Sequence, residues 1–226
     1  MIKIDIKERL FRFLEEYGSY YSLSQIDNLR GNLVNYVYKR NYKNELFDEV
    51  AASIGVLDPK DNYYLSFYKM IGEIYGYDLN ILEIGAGIFP ILSKYIDDEQ
   101  SRIGKGKITA IDPLVIDKKI GNIKLVRDEF KSGMDISDFD LIIAIRPCSA
   151  TDMIVREAEL ASKNLFLALC SCQPYQMYDF DTDMYRDEWI NMEKYVMSRQ
   201  KDNGFDVGIH DSLPNFPNPV MYTKKK

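Results

Sequence analysis

Two glycines flanked by acids give this chain its first chemical signal. They lie in Glu83-Ile84-Gly85-Ala86-Gly87, and Asp112 ends the next apolar run. Glycine adopts positive φ without steric cost and has no side chain, so a Gly-x-Gly turn lets the backbone approach a ligand closely. The preceding run, 79–84, is long enough for a buried strand and too short for a typical helix. A helical pattern opens at Pro90, and proline suits a first turn because it has no amide proton to leave unpaired. Strand, glycine turn and helix N-terminus together hold polar ligand groups, and a carboxylate at 112 suits hydroxyls.

Other candidates follow other apolar runs. In an open parallel sheet, ligands bind outside the carboxyl ends of the strands, near the point where strand order reverses. Asp128, Glu129 and Phe130 follow the third expected strand, and Arg146 follows the fourth. The two acids fit either a ligand's donors or a solvated turn. Arg146 offers a planar fork that binds a carboxylate or phosphate bidentately. Tied to a loop acid such as Glu129, it would be structural instead. Pro147 is expected to hold Arg146 in an extended conformation that projects it toward a pocket. Cys148, Cys170 and Cys172 also follow strands, and with His210 they could make a tetrahedral metal site. Cys-x-Cys is not the usual zinc spacing and buried cysteine is common as a small apolar residue, so no metal is expected.

The segment Glu83-Ile84-Gly85-Ala86-Gly87 resembles the glycine-rich first motif of class I S-adenosylmethionine-dependent methyltransferases, with Asp112 where that family has an acid ending the second strand. The resemblance implies that Glu83, Gly85, Ala86 and Gly87 surround the methionine part of S-adenosyl-L-methionine. It implies that Asp112 binds the ribose hydroxyls, that Asp128 or Glu129 meets the adenine amino group, and that Phe130 touches the ring. The pattern departs at Phe89, where many members carry a third glycine. Members that modify amino groups carry an Asn-Pro-Pro-Tyr-like motif where Arg146-Pro147-Cys148-Ser149 stands here. That motif accepts hydrogen bonds from the amine and arginine cannot, so a nucleic-acid amine is not favoured. The acceptor expected is a small molecule or one the sequence does not identify, and Arg146 suits one with a carboxylate or phosphate. Nicotianamine synthases, which transfer the aminoalkyl arm of the same cofactor, also have a proline where Pro90 sits. A non-catalytic binding protein of the same fold is a further alternative.

A dinucleotide-binding reading competes for the same residues. Its fingerprint wants a third glycine and an acid about 20 residues on. This chain lacks that glycine and places Asp112 later. Glu83 would also stand close to a pyrophosphate, whereas a cofactor with an ammonium and a sulfonium tolerates it.

The elements that position these residues are an α/β set: a class I methyltransferase-like, doubly wound, mostly parallel sheet with a helical N-terminal extension. Residues 1–77 read as four helices, an extension or cap over the pocket, and hold eleven of the 17 tyrosines. Ile6, Leu10, Phe13, Leu14 and Tyr17 form one stripe, with Gly18 as a stop. Ser22 and Gln25 have capping-box spacing ahead of Ile26, Leu29, Leu33, Tyr36 and Val37. Gly55 and Gly76 close the third and fourth helices. Residues 78–226 form the Rossmann-like domain, with strands expected near 79–84, 107–112, 122–127, 139–145 and 164–169 and helices over 90–98 and 152–162. A polar turn is expected from Asp97 to Gly106. Residues 173–183 read as irregular, 187–201 as a helix with Trp189, Met192 and Val196 on one face. Short strands at 205–209 and 220–222 close the sheet, one of them antiparallel, around Pro214, Pro217 and Pro219.

Composition bounds the rest. At 226 residues, with 46% hydrophobic and 28% charged content, the chain holds one sizeable core. A net charge of −6 argues against a broad nucleic-acid face. No apolar run reaches the roughly 20 residues that span a bilayer and no signal-peptide pattern opens the chain. Three cysteines without a framework spacing fit a reducing compartment, so a cytoplasmic protein is expected.

Overall fold

The computed structural model describes residues 2–37, 45–147, 150–169, 191, 194, 197, 198, 200–213 and 216–226. The chain divides into two compact units, Met1–Ser66 and Phe67–Lys226.

In the first unit, α1 (Ile2–Tyr17) buries Leu10 and Phe13 and runs into a 3-10 turn at Gly18–Tyr20. The capping box then forms. The Ser22 amide donates to Gln25 Oε1 at 2.8 Å, and the Gln25 amide donates to Ser22 Oγ at 3.3 Å. These bonds satisfy donors that a helix start leaves open, and α2 (Leu23–Val37) follows with Leu29 fully buried. The third helix, α3 (Glu45–Ser53), buries Phe47, Val50 and Ala51 and stops before Gly55, whose φ is 68°. The Tyr36 hydroxyl donates to Val56 O at 2.9 Å and accepts from the Asp58 amide at 3.1 Å. It fastens α2 to the segment after α3.

The division falls within α4 (Tyr63–Tyr75). In the second unit Phe67 meets Phe166 and Phe216 edge-on, and the Tyr75 hydroxyl bonds Leu165 O at 2.9 Å and Thr223 O at 3.0 Å. The unit is built on β1 (Asn80–Ile84), β2 (Lys107–Ile111), β3 (Lys124–Val126), β4 (Leu141–Ile145), β5 (Asn164–Ala168), β6 (Phe205–His210) and β7 (Val220–Lys225). Their order is β3-β2-β1-β4-β5-β7-β6. Every pairing is parallel except those of β7, which runs antiparallel to both β5 and β6. This is the doubly wound, class I methyltransferase-like architecture expected from the sequence. All five residues of β4 are buried, the mark of a central strand covered on both faces.

Period-two alternation divides the core. Leu82, Ile84, Ile142, Ala144, Leu165 and Leu167 pack with Ile154, Val155 and Ala158 of α6 (Thr151–Leu160). Glu83 points to the other face, toward α5 (Ile91–Ile103).

The sequence-based end of α5 near 98 is corrected, because the helix continues through the acidic stretch to Ile103 and closes on Gly104 at φ 70°. Side-chain pairing explains this. Lys94 bridges Asp98 at 2.9 Å and Arg102 pairs with Glu99 on the exposed side. Asp97 and Gln100 turn inward instead. Asp97 Oδ2 accepts the Asn122 amide at 3.1 Å, and Gln100 Nε2 donates to Tyr77 O and Leu79 O. Residues that read as a polar turn are thus helix surface on one side and buried bonds on the other.

Of the expected helix at 187–201, Asn191, Lys194, Met197 and Ser198 are described and helical, with Met197 in the core beside α6. Trp189, Met192, Val196, Pro214 and residues 173–183 lie outside the described residues. Among the described residues no helix is long and apolar enough to cross a membrane.

Candidate active site

The carboxyl ends of β1, β2 and β4 bring the expected glycines, acid and arginine to one rim. After β1 the chain turns sharply at Gly85, φ 73°, and Gly87, φ 71°. The Gly85 amide donates to Ile111 O at 3.0 Å, which ties the turn to the end of β2. A Cβ on Gly85 would meet Pro147 Cα at 3.5 Å, so the turn after β1 abuts the one after β4. A Cβ on Gly87 would meet nothing within 4 Å.

That open space lies beside Asp112. The Gly87 amide donates to Asp112 Oδ2 at 3.0 Å and the Leu114 amide to Asp112 Oδ1 at 2.7 Å. Asp112 is itself held by its amide on Val126 O at 3.2 Å, an extension of the β2–β3 ladder. Each carboxylate oxygen thus accepts one backbone amide, and a carboxylate oxygen has a second lone pair to offer. The residues fit a ligand that presents neighbouring hydroxyls to Asp112 while passing over Gly87.

Glu83 serves the turn differently. It is almost fully buried, and its Oε2 accepts the Ser93 amide at 3.1 Å and the Ser93 hydroxyl. Pro90 provides no side-chain cap for α5, so Glu83 satisfies an orphan amide of the first turn from the neighbouring strand. Burial pushes its carboxyl up from an ordinary 4.5 to about 7, partly opposed by the two Ser93 bonds, with the Asp112 charge adding to the rise.

The remaining candidates separate. Asp128 is exposed, pairs with Lys131 at 3.0 Å and accepts the Glu129 amide at 2.8 Å; the Lys131 bond leads in holding its carboxyl low. Glu129 is exposed beside it. Phe130 is buried in the core cluster with Leu82, Ile84 and Ile111. Ala86 is buried within the glycine turn.

Arg146 overturns the expectation of an extended backbone, since its φ is 51°. Anchors on both sides impose the bend against the preference set by Pro147. The Arg146 amide donates to Ala168 O at 2.7 Å, and Pro147 O accepts the Ala150 amide at 3.0 Å. The guanidinium lies over the ring of Phe216, 5.2 Å from its centroid. Cys148, Cys170 and Cys172 lie outside the described residues, and His210 is exposed with its ring stacked on Tyr222. Among the described residues no group of three His, Cys, Asp or Glu could hold a metal.

Three site residues escaped sequence reasoning. Ser93 had a signal, since Glu83 points toward the start of α5 once strand and helix are drawn. Leu114 had one in Asp112-Pro113-Leu114, where aspartate commonly bonds the amide two residues on. Phe216 had none, because its partner Arg146 is remote in sequence.

Substituting Gly87 should separate fold from binding. Gly87→Ala places an L residue at φ 71°, at a cost of about 1–2 kcal/mol by urea unfolding. Its methyl would also enter the open space beside Asp112, so affinity for S-adenosylhomocysteine by calorimetry should fall about tenfold or more. Unchanged affinity would take Gly87 out of the site.

No protein-family model matches the chain, and no curated protein is similar to it in sequence. Solved structures are similar at low identity. A methyltransferase from Pyrococcus furiosus is 15% identical, with a TM-score of 0.45 over 72% of this chain and 83% of its own. The CMeT domain of the citrinin polyketide synthase is 12% identical, with a TM-score of 0.46 over 95% of this chain and 68% of its own.

Proposed function

We propose that the protein binds S-adenosyl-L-methionine at the 85–87 turn and transfers its methyl group to a small-molecule acceptor. The observation that carries this reading is the open space over Gly87 beside the Asp112 carboxylate. A pyrophosphate passing over Gly87 would meet that carboxylate, whereas a ligand that presents hydroxyls and carries an ammonium and a sulfonium is favoured by it. Asp112 holds the ribose hydroxyls, Gly87 admits the ligand against the backbone, and Glu83 fixes the turn by capping α5. Asp128, Glu129 and Phe130 border the adenine end.

When bound, the cofactor supplies a methyl group on a positively charged sulfur, open to in-line attack by the acceptor's nucleophile. The chain's part is to hold the two reactants in that geometry, which supplies much of the rate in such transfers without a dedicated base.

Calorimetry with S-adenosylmethionine, S-adenosylhomocysteine and NAD tests the cofactor. The first two should bind and NAD should not. Binding of NAD alone would overturn the reading. With candidate acceptors, S-adenosylhomocysteine as product marks methyl transfer, methylthioadenosine marks aminoalkyl transfer, and neither points to a binding protein.

A further inference from the structure

We propose that Arg127 is a positioning residue for Asp112: it holds the Pro113–Leu114 peptide in the orientation that presents the Leu114 N–H to the Asp112 carboxylate. This rests on the reading of Asp112 as the acid that meets the ligand's hydroxyls.

One peptide unit joins the two side chains. Its carbonyl, Pro113 O, accepts from Arg127 Nε at 3.3 Å, and its N–H, on Leu114, donates to Asp112 Oδ1 at 2.7 Å. A donor on the oxygen of a peptide polarises it and strengthens the bond its N–H makes, more so when that donor is charged. The guanidinium thus acts on one carboxylate oxygen, while the Gly87 amide fixes the other, Oδ2, at 3.0 Å.

That peptide belongs to the class most prone to turn over. Asp112 to Val115 form a β-turn, closed by the Val115 amide on Asp112 O at 3.3 Å, with Pro113 and Leu114 at its centre. The central peptide of a β-turn faces opposite ways in types I and II, and proline suits the second position of either. Turned over, it would set the Pro113 carbonyl against the carboxylate. Leu114 opposes this in part, since it is not at the positive φ that type II demands. Burial fixes Val115 and Ile116, and the Ile116 amide holds Ile88 O at 3.1 Å, but Pro113 and Leu114 are exposed. Pro113 has no amide proton, so the exposed half of the turn is held through this peptide, by Asp112 at one end and Arg127 at the other.

The partner Arg127 takes is the other observation. It follows β3 directly, next to Val126, whose carbonyl accepts the Asp112 amide at 3.2 Å. Asp128 beside it is an acid that would ordinarily draw a guanidinium, yet Asp128 pairs with Lys131 and Arg127 reaches back to a carbonyl. A merely solvated strand end has no need of that bond. Arginine suits it, because its Nε–H lies partway along the side chain in a rigid plane where lysine has no donor.

The test measures binding of S-adenosylhomocysteine and S-adenosylmethionine to the full chain by calorimetry, with the Leu114 amide followed by NMR. Arg127→Met keeps most of the stem and loses every donor. It should lower affinity for both ligands about threefold to tenfold, with the melting temperature nearly unchanged because Arg127 is exposed. In the same variant without ligand, the Leu114 amide proton should move upfield as its bond to Asp112 weakens. In an Asp112→Ala background, Arg127→Met should cost no further affinity, because Arg127 acts through Asp112. If Arg127 acted by its charge, losing it would strengthen binding of S-adenosylmethionine, the more positive ligand, relative to S-adenosylhomocysteine, and that result would overturn the proposal. So would unchanged affinity for both ligands, an equal loss in the Asp112→Ala background, or an unmoved Leu114 amide. If wild type binds neither ligand, the cofactor reading falls by itself, and the Leu114 amide still decides: movement in Arg127→Met supports the hold on the peptide, and no movement overturns it.

Discussion

Asp112→Ala is expected to weaken binding of S-adenosylmethionine and S-adenosylhomocysteine by tenfold to more than a hundredfold. A hydrogen bond to a charged group contributes about 1.5–3 kcal/mol, and ligand hydroxyls would lose that carboxylate. Stability should fall far less, because the Gly87 and Leu114 amides freed by the change lie at a half-open rim where water can replace the acid. Asp112→Asn is a sharper control than its shape suggests. One face of an amide accepts and the other donates, so asparagine can take only one of the two backbone amides and must turn its NH2 against the other. It should therefore behave nearer to alanine than to aspartate. Calorimetry beside thermal melts decides the matter. Wild-type affinity in both variants would remove Asp112 from the site.

The parallel sheet could be read from the chain because its signals are local. The runs 79–84, 139–145 and 164–169 are apolar almost without interruption, which only strands buried on both faces need. The capping box at Ser22 and Gln25 was visible for the same reason, since both partners lie within one turn. Where sequence reasoning failed, the deciding partner was distant. Asp97 and Gln100 look like turn residues until Asn122, Tyr77 and Leu79 are brought against them. Arg146 looks extended because Pro147 asks for it, but the Ala168 carbonyl on the neighbouring strand asks for something else and prevails. At the site, residue types were readable and roles were not. Glu83 reads as a ligand contact from its place in the motif, yet its carboxylate is committed to Ser93, a pairing that depends on how α5 packs on β1.

Glu83→Gln is expected to flatten a pH dependence of stability that the wild type shows between about 4.5 and 7. With the folded carboxyl raised to about 7, the native protein keeps its proton over a range in which the unfolded chain has lost it. Stability from this group is therefore complete below 4.5, declines as pH rises, and is lost once pH has passed through about 7. At most about 3 kcal/mol is involved, from 1.36 kcal/mol per pH unit over that range. Glutamine cannot ionise, but its carbonyl can still accept the Ser93 amide, so the cap survives. The difference in unfolding free energy between wild type and Glu83→Gln, followed from pH 5 to pH 8, should grow in favour of glutamine as pH rises. Taking the difference cancels the titrating groups whose surroundings the substitution leaves unchanged. Glu83→Ala removes the cap as well and leaves the buried Ser93 amide and hydroxyl without this acceptor, at a cost of about 2–4 kcal/mol that should persist at low pH. A glutamine difference that stays level across the range would mean that Glu83 titrates like an ordinary surface carboxylate, and would sink the account of it as a buried cap.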